Sequence, residues 1–209
     1  MPKRCRARAV IGIAVALLLI AGCSGPPPLG PLAEDARILA FGDSLTQGTG
    51  AGDGENYPAV LERLSGREVI ESGVPGELSE QGRRRLPGVL DAIDPDLVIL
   101  LHGGNDILRG KDLEAARRNL AAMVDSARGR GIPVVLVGVP ARELFFRSTA
   151  EMYYTVAERR GLPLEADIME TIIDSPELRS DSVHPNAAGY QRLAQALYDL
   201  LVGAGAIDN

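Results

Sequence analysis

The sequence predicts an α/β protein of three layers, a parallel sheet held between two layers of helices. Three observations lead there. Short β-rich runs alternate with longer amphipathic segments along the chain. The runs at 97–101 and 134–137 are apolar without interruption, as strands buried on both faces are. Alternation at this spacing calls for right-handed crossovers that lay the helices on both faces of the sheet.

Strands are expected at 38–41, 68–70, 97–101 and 134–137, with a weaker one at 162–164. Between them, 57–64 reads as a helix, and Pro87 is expected to interrupt a helix spanning 79–93, because proline removes an amide donor. Leu113, Ala116, Leu120, Val124 and Ala127 share one helical face, with Asp112 as N-cap. Tyr190, Leu193, Ala194, Leu197, Leu200 and Leu201 repeat that spacing, and Gly203 is a natural stop. There is no internal repeat. In such sheets ligands sit beyond the carboxyl ends of the strands, so the chemistry is to be sought just after each strand.

The first 22 residues stand apart from the fold. Lys3, Arg4, Arg6 and Arg8 precede an apolar run of 12 residues, Ala9 to Ile20, whereas a membrane-crossing helix needs about 20. This pattern is that of an export signal. The run ends in Ile20-Ala21-Gly22-Cys23, which resembles the lipobox of bacterial lipoproteins. The resemblance implies cleavage before Cys23, acylation of that cysteine and two or more acyl chains, enough for durable anchoring. The alternative is an ordinary signal peptide with an incidental cysteine. Ser24, where inner-membrane retention is linked to aspartate, favours the outer membrane in a Gram-negative cell. Cys5 would leave with the leader, so the exported chain has a single cysteine and no internal disulfide. Residues 23–36, rich in proline, read as a tether, and 37–209 as one domain. Without the leader 18 basic residues face 28 acidic ones, a net charge of −10 that excludes affinity for a nucleic-acid backbone.

The first candidate site is Gly42-Asp43-Ser44-Leu45, after the first strand. No Lys-Ser/Thr follows, so it is not a P-loop. Asp53 stands where a dinucleotide site wants glycine, and Thr46 breaks the Gly-x-Ser-x-Gly elbow. Taken alone the tetrapeptide reads equally as a turn with a hydroxyl cap. A serine nucleophile needs a base, and the chain has two histidines. His184 follows Asp181 by three residues on a loop, where the carboxylate can accept Nδ1–H and leave Nε2 for the serine. His102 follows the third strand, with Asp106 its near acidic neighbour, and is expected to support its turn through a backbone hydrogen bond. Donors for an oxyanion are available after three strands: the N–H of Ser44, the N–H of Gly73 and the side-chain amide of Asn105. Leu144, Phe145 and Phe146, with Met152, Tyr153 and Tyr154 beyond, either line an acyl pocket or cover the sheet as helix core.

Four blocks, Gly42-Asp43-Ser44-Leu45, Ser72-Gly73-Val74-Pro75-Gly76, Gly104-Asn105-Asp106 and Asp181-Ser182-Val183-His184, together resemble the signature blocks of the GDSL/SGNH hydrolases, in family order, over residues 38–202. The resemblance implies a flavodoxin-like five-stranded sheet. It places Ser44, Gly73, Asn105 and His184 on the family's four named residues, with Asp181 completing the triad. The branch of thioesterase I, lysophospholipase and arylesterase is most similar, although Glu77-Leu78-Ser79 replaces its usual acidic residue followed by threonines. Hydrolysis of acyl esters through an acyl-serine is therefore expected, with no metal or other cofactor. An O-deacetylase of envelope glycans and a non-catalytic binding lipoprotein are the rival readings.

Overall fold

Entry into the fold is through β1 (Arg37–Gly42), in which Ile38, Leu39, Ala40 and Phe41 are wholly buried. The structure is a computed structural model that describes residues 25–141 and 148–208. With β2 (Glu68–Gly73), β3 (Leu97–Leu101), β4 (Val134–Val137) and β5 (Leu164–Glu165), β1 forms one parallel sheet in the order β2-β1-β3-β4-β5. The chain steps from β1 to β2 on one side and returns to place β3 on the other. Loops leaving β1 and β3 therefore diverge, and a crevice opens between them at the carboxyl edge.

Helices α1 (Ser44–Gln47) and α2 (Tyr57–Ser65) precede β2, and α3 (Ser79–Ile93) joins β2 to β3. After β3 come α4 (Gly104–Leu108) and α5 (Leu113–Arg128), and after β4 comes α6 (Glu151–Arg160). A short α7 (Ile168–Asp174) and the long α8 (Ala187–Gly203) complete the chain. α2 packs with α8, and α3 and α6 each pack with α5, giving the two helical layers. The expected N-cap is in place: Asp112 accepts the N–H of Glu114 at 2.9 Å. Among the described residues, no helix is long and apolar enough to cross a membrane.

Three expectations change. Pro87 lies inside an unbroken α3. Its missing bond to the carbonyl four residues back costs about 3 kcal/mol. Burial of Leu86 and Leu90 on the same helix offsets that cost. The last strand begins later than expected, because the Leu162 N–H closes the end of α6 on the Ala157 carbonyl at 3.0 Å. Finally, the proline-rich stretch is docked from Pro26 onward. The N–H groups of Leu29 and Leu32 donate to the carbonyls of Ala204 (2.8 Å) and Ala206 (2.7 Å), just past α8. Arg67 donates to the carbonyl of Ala33 at 3.3 Å, and both leucines pack against the core.

Candidate active site

At the end of β1 the backbone turns at once into α1. A Cβ on Gly42 would lie 2.1 Å from Thr46 Oγ1 and 2.3 Å from the Leu101 carbonyl, so only glycine allows this approach. Asp43 caps α1, its Oδ1 accepting the N–H of Leu45 at 3.1 Å, while its Oδ2 accepts Asn105 Nδ2 at 3.1 Å. Burial pushes the Asp43 carboxyl pKa up, against the pull of nearby His102, those two hydrogen bonds and His184. Asp43 is thus a strut between the loops after β1 and β3, a role its adjacency to Ser44 does not disclose.

Ser44 Oγ lies 3.0 Å from His184 Nε2, and His184 Nδ1 lies 2.7 Å from Asp181 Oδ2. With Nδ1–H donated to the carboxylate, Nε2 is left to accept the serine proton. The other oxygen of Asp181 accepts the N–H groups of Val183 and His184, each at 2.8 Å. Partial burial works against the charge on Asp181, yet these donors outweigh it and hold the carboxyl pKa at about 2. The loop itself is closed by Ser180 N–H on the His184 carbonyl at 2.9 Å and ends in Asn186, which caps α8 through the Gly189 N–H. Tyr190, buried on α8, donates its hydroxyl to the Thr49 carbonyl at 2.9 Å and so ties the histidine loop to the serine loop.

These side chains open on a cleft of about 270 Å³. Ser44, Asn105 and His184 line it, with Leu45, Pro75, Leu108 and Val183 as its apolar walls. The Ser44 N–H is the first of α1, where no carbonyl of that helix can reach it. Asn105 keeps its second amide hydrogen beyond the one given to Asp43. Gly73 differs: its N–H is donated to the carboxylate of Glu71, two residues back on the same edge strand. Of the expected pocket residues, Leu144, Phe145 and Phe146 lie outside the described residues. Met152 and Tyr153 belong to the core, and the Tyr153 hydroxyl donates to the His102 carbonyl at 2.9 Å. The apolar walls were not found from sequence, since they sit singly on four separate segments: Leu45 on α1, Pro75 after β2, Leu108 on α4 and Val183 before α8.

His102 is fully buried and does support its turn, accepting the Gly103 N–H on Nδ1 at 2.8 Å. The proton therefore sits on Nε2, which donates to Glu77 at 3.1 Å. Its acidic partner is Glu77 and not Asp106, which instead accepts the N–H and hydroxyl of Ser79, both at 2.8 Å. Gly82 leaves room for the ring; a Cβ there would lie 2.3 Å from His102 Nε2. Glu77 also receives Arg85 (Nη2, 2.7 Å), and burial notwithstanding, His102 and Arg85 hold its carboxyl pKa at about 2. The same guanidinium donates to the Gly42 carbonyl (3.1 Å), the Ser72 carbonyl (3.3 Å) and the Ser72 hydroxyl (2.7 Å), and lies 4.0 Å over the Phe41 ring.

Residues 40–192 match the GDSL-like lipase/acylhydrolase family. The chain belongs to that family. Among its relatives, Esterase TesA of Pseudomonas aeruginosa is 28% identical over 194 residues, covering 88% of this chain and 96% of the relative. Thioesterase 1/protease 1/lysophospholipase L1 of Escherichia coli is 28% identical over 156 residues, 71% of this chain and 75% of that protein. Among solved structures, that of AlinE4, an SGNH-hydrolase family esterase, superposes with a TM-score of 0.65 at 34% identity, covering 83% of this chain and 98% of that one. The chain therefore shares its family and its fold with proteins named as esterases.

Proposed function

We propose that the chain is a serine esterase that hydrolyses short-to-medium-chain acyl esters through an acyl-Ser44 intermediate, the thio- and lysophospholipid esters named for its relative being within its range. The observation that carries this reading is the unbroken chain from Ser44 Oγ through His184 to Asp181, opening on an apolar-walled cleft. In this mechanism His184 Nε2 takes the hydroxyl proton as Oγ attacks the carbonyl carbon. The Ser44 N–H and the free Asn105 amide hydrogen receive the oxyanion. His184 then protonates the leaving alcohol or thiol, and returns as base for the water that releases the acid. Gly73 adds a third donor once Glu71 lets go of it.

The experiment is direct. Ser44→Ala is expected to abolish hydrolysis of p-nitrophenyl butyrate with an unchanged far-UV circular dichroism spectrum, and to escape labelling by a fluorophosphonate that labels the parent. Parent-like turnover in that variant sinks the assignment.

A second part of the proposal concerns place. Cys23, outside the described residues, is the lipid-modified first residue of an exported envelope protein. The basic start, the short apolar run and Ile20-Ala21-Gly22-Cys23 support it. An intact-mass measurement that finds Cys23 unmodified, or a chain still carrying its leader, ends this reading.

A further inference from the structure

The docked arm bears on where the cleft points. α8 starts at Ala187, three residues after His184, and runs 17 residues to Gly203, a length of about 25 Å. The arm is fixed at the far end of that helix. The Pro26 ring lies over Gly203, 3.6 Å from where a Cβ would stand, and Leu29 and Leu32 bond to the Ala204 and Ala206 carbonyls. The same pole holds the start of β1, whose six residues run about 20 Å along the sheet to the nucleophile. Thus the arm and the cleft lie at opposite edges of the sheet. Only three residue steps separate Cys23 from Pro26, at most about 11 Å of fully extended chain.

We infer that the docked arm turns the cleft away from the membrane that holds the chain, so that the substrates are esters met from the aqueous side and not lipids of the anchoring leaflet. This rests on the proposed esterase activity and on the proposed anchor at Cys23. A body held by one pole on a lead of about 11 Å cannot bring its opposite pole to the same surface. It can receive dissolved esters, or esters on a polymer that faces the membrane.

The test uses the full protein as the cell processes it, reconstituted in phosphatidylethanolamine/phosphatidylglycerol vesicles. Two active-site probes are compared: a water-soluble fluorophosphonate, and a fluorophosphonate carried on a diacyl lipid of the same vesicles. The soluble probe is expected to label Ser44 as fast as in detergent, and the membrane-held probe at least tenfold more slowly. Inserting a Gly/Ser spacer of about 30 residues between Gly25 and Pro26, with a mean span of about 30 Å, is expected to restore labelling by the membrane-held probe. Equally fast labelling by that probe with and without the spacer overturns the orientation. Intact mass at Cys23 reports on the anchor separately, and the soluble probe reports on the serine. An unmodified Cys23 overturns the anchor and this inference with it; a modified Cys23 with fast membrane-held labelling overturns the orientation alone.

Discussion

Asp181 stays half-exposed yet carries three N–H donors, and this shapes the acid limb of activity. Its carboxyl titrates at about 2, so it is ionised throughout the range in which an esterase is assayed. Because Asp181 keeps its charge there, the fall of log kcat/KM toward low pH should have a slope no steeper than one; a slope of two would mean that Asp181 takes up a proton as well. Stability has its own sign. Asp181 and Glu77 both titrate near 2 when folded and near 4 when unfolded, so their support is complete above about pH 5 and fades as the pH falls toward 2. Glu71 offers a second test at this scale. Its exposed carboxylate occupies the Gly73 N–H, and an exposed contact of this kind is worth about 1 kcal/mol. Glu71→Ala is expected to raise kcat up to about fivefold with KM little changed, as the freed donor joins the oxyanion. An unchanged kcat would remove Gly73 from that role. The triad was legible because two histidines left a short choice. Glu71 was not, since nothing local says that a strand glutamate will turn back on an amide two residues later.

Between elements, Arg85 of α3 clasps the ends of β1 and β2 and, through Glu77, the turn after β3. Those three ends carry Ser44, Gly73 and Asn105. A lysine has one point charge and cannot serve four acceptors in a plane. Arg85→Lys is expected to lower kcat roughly tenfold to a hundredfold with KM within about twofold, because misplacement of about 1 Å is costly to the transition state. Added guanidinium should restore part of the activity of Arg85→Ala. A loss of thermal stability alone, with kcat intact, would reduce the arginine to packing. The helices themselves were readable: α5 and α8 follow the 3.6-residue repeat, and Asp112 announces its helix. The clasp was not, because Glu77 and Arg85 are eight residues apart and meet His102 only through the fold. Pro87 misled for a related reason, since a local penalty says nothing about the burial that outweighs it.

On the scale of the whole molecule, the parallel three-layer architecture was legible in the alternation of elements and the flavodoxin-like sheet in the resemblance of four short blocks. The crevice follows from the strand order that the structure shows. The arm escaped notice because prolines forbid helix and sheet without forbidding a docked extended path. Leu29 and Leu32 are half-buried there, each contributing about 1 kcal/mol. Replacing both with serine is expected to lower Tm by about 4–8 °C, while kcat on a soluble ester stays within twofold. A parent-like Tm would show that the arm adds nothing to the fold. Its bonding partners also carry a consequence in time. Leu29 and its acceptor Ala204 are 175 positions apart in the chain. At roughly 5–20 residues per second, synthesis reaches that acceptor some 10–35 s after the arm is made. Throughout that interval the arm lacks its acceptors past α8, and any enzyme that cuts or modifies the chain just ahead of it works on a strand that the finished fold has not yet taken in.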